Sequence, residues 1–203
     1  DDAGENSIMI HAGANNAFTP EQVRQNKAII EKSDFIIAQF ESAVESTIEA
    51  FNLAKEVGVK TILNPAPALE NVPEELLKVT DMIIPNETET EILTGISITD
   101  EESLKQAAAH LHQLGIEVVI ITIGSKGAFY SIKNSKNGIV PAFKVNAVDT
   151  TAAGDTFIGA MSSMLATDFS NLEEAITYGN KASSLTVQRF GAQPSIPYKQ
   201  ELN

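Results

Sequence analysis

The chain has 203 residues, with 14 Lys plus Arg against 27 Asp plus Glu, giving a formal net charge of −13, and it contains no cysteine. This acidic balance excludes the basic face that nucleic acid or an anionic membrane needs, yet it leaves room for an anionic ligand held by backbone N–H groups. The missing thiols exclude disulfides, thiolate metal sites and cysteine nucleophiles, which fits a reducing, cytoplasmic setting; no apolar run approaches the ~18 residues of a membrane span.

Apolar residues are 43% of the chain, an ordinary globular share, and the absence of a linker-like stretch predicts a single domain over 1–203. Residues 7–10 form a short apolar run. Thr19-Pro20-Glu21-Gln22 is a helix start, with Thr19 as cap and Pro20 at the first helical position, and that helix runs to about residue 32. Residues 35–40 are nearly continuously apolar and predict a strand buried on both faces. A helix over 45–56 stops at Gly58, strands follow at 61–63 and 82–84, and a short helix over 87–93 ends at Gly95. Residues 99–114 predict a helix capped by Thr99 with Glu102 three residues on, ahead of a buried strand at 118–123. Asn137-Gly138 between 128–133 and 139–145 predicts a hairpin turn, and two helices, about 153–166 and 172–189, complete the chain. Alternating strands and helices of this kind predict an α/β fold, a mostly parallel sheet with helices on both faces and ligands beyond the carboxyl ends of the strands.

The stretch Val148-Asp149-Thr150-Thr151-Ala152-Ala153-Gly154-Asp155-Thr156-Phe157 leads a turn of small residues into an apolar helix. Small side chains admit a ligand to the backbone, and N–H groups at a helix start form an anion site. Asp155 in the first turn is positioned either to take a proton from a hydroxyl attacking phosphorus or merely to complement the helix dipole. In Pro85-Asn86-Glu87-Thr88-Glu89, Asn86 and Glu89 share a helix face, as a hydrated Mg²⁺ site or as favourable charge at a helix start. Thr122-Ile123-Gly124-Ser125-Lys126-Gly127 is a nucleotide-contacting loop or a plain turn, and Arg189-Phe190-Gly191-Ala192-Gln193-Pro194-Ser195 a cation loop or a helix exit. Glu41 follows a strand and so falls at the ligand edge; His110 and His112, two apart on a helix, face different ways and cannot share a metal.

The segment 148–157 closely resembles the C-terminal signature of the ribokinase-like, phosphofructokinase-B-type carbohydrate kinases. NPAPA at 64–68, PNETE at 85–89, ITIGSKG at 121–127 and GAQPSIP at 191–197 follow in that family's order, and HAGAN at 11–15 and QFES at 39–42 resemble its ribokinases. The resemblance implies ATP-dependent phosphoryl transfer to the 5-hydroxyl of D-ribose, with another sugar or nucleoside kinase, such as a fructokinase, or a non-catalytic nucleotide-binding fragment as alternatives. It implies Asp155 as catalytic base and as a contact to the sugar, and Ala152, Ala153 and Gly154 as the anion hole. It implies Asn86 and Glu89 at Mg²⁺ and phosphate, Thr122, Gly124 and Gly127 in the nucleotide loop, Asn180 near adenine and Glu41 at the sugar. It implies a monovalent-cation site, usually potassium, around Asp149, Thr151, Thr186, Arg189, Gly191 and Ser195. The family's N-terminal sugar-binding motif and β lid have no counterpart here. The expectation is therefore a C-terminal portion lacking the N-terminal strand and the lid. Alone it is expected to be inactive, and its parent to dimerise through the lid.

Overall fold

The structure, a computed structural model, describes residues 9–202. Over these residues the chain forms two compact units, one of 11–122 with 129–138, the other of 123–128 and 139–202 with 9–10. The apolar run at 7–10 lies partly outside the described residues, and Met9 and Ile10 are exposed and belong to no strand.

Six strands, β1 (Phe35–Ala38), β2 (Lys60–Leu63), β3 (Met82–Ile83), β4 (Val118–Thr122), β5 (Ala128–Ile132) and β6 (Asn137–Val140), lie in chain order across one sheet. The first four pair in parallel, with Ile37 opposite Ile62, Leu63 opposite Ile83, and Met82 opposite Val118. Their sequences explain this: Ile62, Leu63, Met82, Ile83 and Val118 to Ile121 are fully buried, as runs of β-branched and apolar residues covered on both faces should be. The expectation of full burial fails for β1, which is at the edge of the sheet and leaves Ile37 exposed. An apolar run reads alike in a central and an edge strand.

α1 (Pro20–Gln25) and α2 (Lys27–Ile30) precede β1, and the crossovers between β1 and β4 carry α3 (Val44–Val57), α4 (Glu74–Lys78), α5 (Glu87–Thr94) and α6 (Glu101–Gln113). The Thr19–Gln22 capping box forms as expected, Gln22 Oε1 accepting the Thr19 N–H at 2.9 Å. The expected single helix to residue 32 instead breaks at Asn26, whose side chain donates to the Gln22 carbonyl at 2.8 Å. At α6 the cap moves one residue on: Asp100 Oδ1, not Thr99, accepts the Ser103 N–H at 2.8 Å. The hairpin turn also moves. Asn137 and Gly138 are inside β6, and the chain reverses at 133–136, where Asn134 takes the left-handed conformation at φ 57°. Gly138 instead lies close against Tyr130, where a Cβ would stand 3.2 Å from the ring.

At the amino-terminal end of β3, Asp81 is almost fully buried. It accepts Lys55 Nζ at 2.6 Å, Thr61 N at 3.0 Å and Thr61 Oγ1 at 3.1 Å, while its own N–H donates to Thr61 Oγ1 at 2.9 Å. One carboxylate thus joins β2, β3 and α3. In the second unit α7 (Ala153–Met164) packs on α8 (Leu172–Thr186). Gly179 lets them approach, because a Cβ there would meet Phe157 Cδ2 at 2.8 Å. Among the described residues no helix is long and apolar enough to cross a membrane.

Candidate functional site

In the unit that contains α7 and α8, the turn before α7 is held at its base by α8. The N–H groups of Val148 and Asp149 both donate to the Val187 carbonyl, at 2.7 and 3.2 Å. Asp149 then bonds two ways: Oδ1 accepts Thr151 N and Oδ2 accepts Gly191 N, each at 2.9 Å. Bonds from the Thr151 hydroxyl, then from the Gly191 and Thr151 N–H groups, hold its carboxyl below the usual carboxylate range. Ala152 sits at φ 62°, a left-handed conformation that costs a non-glycine residue about 1–2 kcal/mol. A left-handed residue entering a helix turns successive N–H groups toward one concavity, a geometry that suits anions.

The N–H groups of Gly154 and Asp155 find no acceptor among the described residues. The Asp155 carboxylate is exposed, in the first turn of α7, with no hydrogen-bond or ion-pair partner among them. It does not cap its helix by folding back on the backbone. Ser183 Oγ on α8 donates to the Ala153 carbonyl at 2.6 Å, and Thr186 Oγ1 to Thr156 Oγ1 at 3.1 Å, so α8 grips the first turn of α7.

The other residues expected around a cation divide. Thr186 is fully buried and its hydroxyl is committed to Thr156. Ser195, also fully buried, donates its hydroxyl to the Ala192 carbonyl at 2.6 Å. The carbonyls of Thr151, Arg189 and Gly191 accept no hydrogen bond among the described residues. The Arg189 side chain pairs with Glu201.

Gly124 and Gly127 bound a short turn with φ 54° and 110°. A Cβ on Gly127 would stand 2.1 Å from the Val140 carbonyl oxygen, whereas one on Gly124 would meet open space. Asn180 is buried and its amide donates to the Val140 and Pro141 carbonyls at 3.1 and 3.2 Å, bracing the strand exit.

In the other unit, Glu41 and Asn86 follow the carboxyl ends of β1 and β3, and Thr122 ends β4, so the three share one edge of the parallel sheet. Thr122 N donates to Pro85 O at 3.0 Å and Thr122 forms a parallel bridge with Asn86. Glu41 is exposed. Asn86 and Glu89 close on each other: Glu89 Oε2 accepts Asn86 N, Oε1 accepts Asn86 Nδ2, and Asn86 Oδ1 accepts Glu89 N, at 2.8, 2.9 and 2.8 Å. Burial pushes the Glu89 carboxyl up, against the Asn86 N–H bond that lowers it. His112 is committed through both ring nitrogens, to Ile116 O at 2.9 Å and Ser131 Oγ at 2.8 Å. Among the described residues no group of three or more His, Asp or Glu side chains is arranged to hold a metal ion. Sequence reasoning passed over Ser183, Asp81 and Glu201. Their signal is a partner distant in the chain, which no local spacing records.

The pattern shared by the pfkB family carbohydrate kinases matches residues 1–199. The chain belongs to this family. Among pfkB-family relatives, it is 51% identical over 200 residues to a ribokinase of Staphylococcus aureus (strain COL), covering 98% of this chain and 65% of that protein. It is 46% identical over 199 residues to a ribokinase of Haemophilus influenzae, covering 98% of this chain and 64% of that protein. The solved structure of Arabidopsis thaliana ribokinase complexed with ribose and ATP superposes with a TM-score of 0.90 at 33% identity, over 98% of this chain and 64% of that one. The chain thus spans about two thirds of the length of the pfkB-family relatives it matches.

Proposed function

We propose that this chain is the part of an ATP-dependent ribokinase that holds the phosphates and carries the catalytic base, and that the protein containing it phosphorylates the 5-hydroxyl of D-ribose. The carrying observation is the unpartnered Asp155 carboxylate beside the acceptor-free N–H groups of Gly154 and Asp155. Gly154 supports the same reading. A glycine in a helix costs about 0.5–1 kcal/mol relative to alanine, and here a Cβ would meet no protein atom within 4 Å. Open space over bare N–H groups suits a phosphate drawn against the backbone.

ATP supplies the phosphoryl group. Asp155 accepts the proton of the attacking hydroxyl as the new oxygen–phosphorus bond forms and the bond from the γ-phosphorus to the β–γ bridging oxygen breaks, ADP leaving, and the turn from Ala152 to Asp155 stabilises charge on the transferring oxygens. Ribose and ATP are the two ligands complexed with the similar Arabidopsis ribokinase, which supports this choice of substrates.

For a monovalent cation such as potassium, the ionised Asp149 and the acceptor-free carbonyls of Thr151, Arg189 and Gly191 are a fitting donor set, hard oxygens around a half-buried carboxylate. Thr186 is fully buried with its hydroxyl donating to Thr156, which leaves that oxygen's lone pairs free and keeps it in the proposed set. Each Glu89 oxygen accepts one Asn86 N–H group, which braces the carboxylate and leaves a lone pair on each oxygen for a metal or for its bound water. The reading for that pair is contact with Mg²⁺, direct or through water. A cytoplasmic setting and a lid-mediated dimer of the longer protein complete the reading.

Asp155→Ala in the full-length protein decides the base. The expected loss is about 10²–10⁴-fold in kcat, with ATP affinity measured by calorimetry held within about threefold. Undiminished turnover would remove Asp155 from this role.

A further inference from the structure

The carboxy-terminal turn makes contacts that phosphoryl transfer does not by itself explain. Lys199–Leu202 form a short 3₁₀ turn. The Leu202 side chain is buried and its carbonyl accepts Lys181 Nζ, from α8, at 2.7 Å. One residue earlier, Glu201 Oε2 accepts the Tyr198 N–H at 2.8 Å, while Oε1 pairs with the Arg189 guanidinium. Two consecutive residues, Glu201 and Leu202, therefore tie this turn to Arg189 and to α8.

Arg189 lies in the turn that leaves α8. Its N–H donates to the Thr186 carbonyl at 3.0 Å, Val187 O accepts the N–H groups of Val148 and Asp149, and Gly191 N reaches Asp149 Oδ2. Val187 and Gly191, two residues to either side of Arg189, thus both bear on the position of Asp149. Phe190 is 77% exposed, so apolar packing does not hold the turn there, and Gln188 bonds back to Ser184 within the same helix. The Arg189–Glu201 pair is what ties this turn to the tail.

We propose that Glu201 is a positioning residue for the turn that receives the phosphates. Through Arg189 it fixes the 187–191 turn, and through Gly191 and Asp149 it holds the bend at Thr151 and Ala152. The inference rests on the reading of 149–155 as the phosphate-binding turn. The pair is partly solvent-exposed, and such pairs contribute little to folding, so an effect on the site separates from an effect on stability.

The test is Glu201→Gln in the full-length protein that contains this chain. Amide exchange of Gly191 and Thr151 should quicken by about tenfold or more, with Ala182 inside α8 unchanged. KM for ATP and the potassium concentration for half-activation should each rise about fivefold, with the unfolding midpoint held within about 3 °C. In an Arg189→Met background the same substitution should add nothing, since the two side chains act as one unit. Unchanged Gly191 and Thr151 exchange, additive effects of the two substitutions, or faster exchange with unmoved kinetics would each overturn the proposal. A wild-type protein with no ribose-dependent ATP turnover would instead sink the kinase reading, and the exchange of those two amides would still decide whether the Arg189–Glu201 pair holds the turn.

Discussion

Two glycines in one turn illustrate how differently the same residue type can be used. Gly124 and Gly127 both have positive φ, which costs a residue with a Cβ about 1–2 kcal/mol. At Gly124 that is the whole cost, since a Cβ there meets open space. At Gly127 the Cβ would overlap the Val140 carbonyl oxygen and the Ala142 nitrogen at 2.1 and 2.6 Å, and backbone cannot swing aside as a side chain can. Gly124→Ala should therefore cost about 1 kcal/mol in urea denaturation, and Gly127→Ala about 3 kcal/mol or more. The contrast bears on function. Gly127 is required by the protein itself, whereas the open faces of Gly124 and Gly154 are the ones free to meet a ligand. Equal costs at the two positions would mean that the strand exit yields more readily than close-packed backbone should.

At the scale of elements, the Asn86–Glu89 pair is first of all a helix cap. Asn86→Ala removes the acceptor for Glu89 N and the Nδ2 donor to Glu89, and should cost about 1–2 kcal/mol by chemical denaturation, whatever the pair does for a metal. A loss below about 0.5 kcal/mol would show the cap to be dispensable. The sequence offered that pair as a metal site or as charge at a helix start rather than as a cap, whereas the Thr19 cap and the stops at Gly58 and Gly95 were legible, because each is set by residues within a few positions. The displaced features have other causes. Thr99 and Asp100 are both good caps, and Ser103 closes a capping box with Asp100, its N–H donating to Asp100 Oδ1 and its Oγ accepting the Asp100 N–H. Asn137-Gly138 is a strong turn signal, yet the chain reverses earlier, where Asn134 takes the left-handed conformation, and both residues fall inside β6. α4 went unforeseen because five residues after Pro73 carry too little periodicity to register. Of the site, the turn into α7 was readable from its own small residues. The closure of Asn86 on Glu89 and the tie from Glu201 to Arg189 depend on side-chain placement and tertiary neighbours.

For the molecule as a whole, acid sensitivity follows from which carboxylates folding favours. Burial alone would raise the Asp81 carboxyl, but the Lys55 ammonium and the Thr61 N–H outweigh it and hold it below the ordinary range. Asp100, Asp149, Asp168 and Glu201 are lowered too, by hydrogen bonds to their charged forms. A carboxyl with a depressed folded pKa adds stability that is complete above its unfolded value, about 3.9 for Asp, and that is lost as pH falls through the folded value. Glu89 runs the other way: burial raises it, so its contribution is complete below about 4.3 and is lost as pH rises through its folded value. The lowered group is the larger, so urea stability should fall as pH drops from 5 toward 3, with Glu89 offsetting a part. Asp81 is the buried member, and it joins β2, β3 and α3. Asp81→Asn should lower stability at pH 7 by about 1–3 kcal/mol, because the carboxylate's hydrogen-bond partners lose the charge they were arranged around. It should also flatten the acid limb of the stability curve, since one of the titrating groups that drives it is gone. A variant as stable as the parent at pH 7, or one whose stability still falls as steeply below pH 4, would show that the Asp81 network is not what links β2, β3 and α3 energetically.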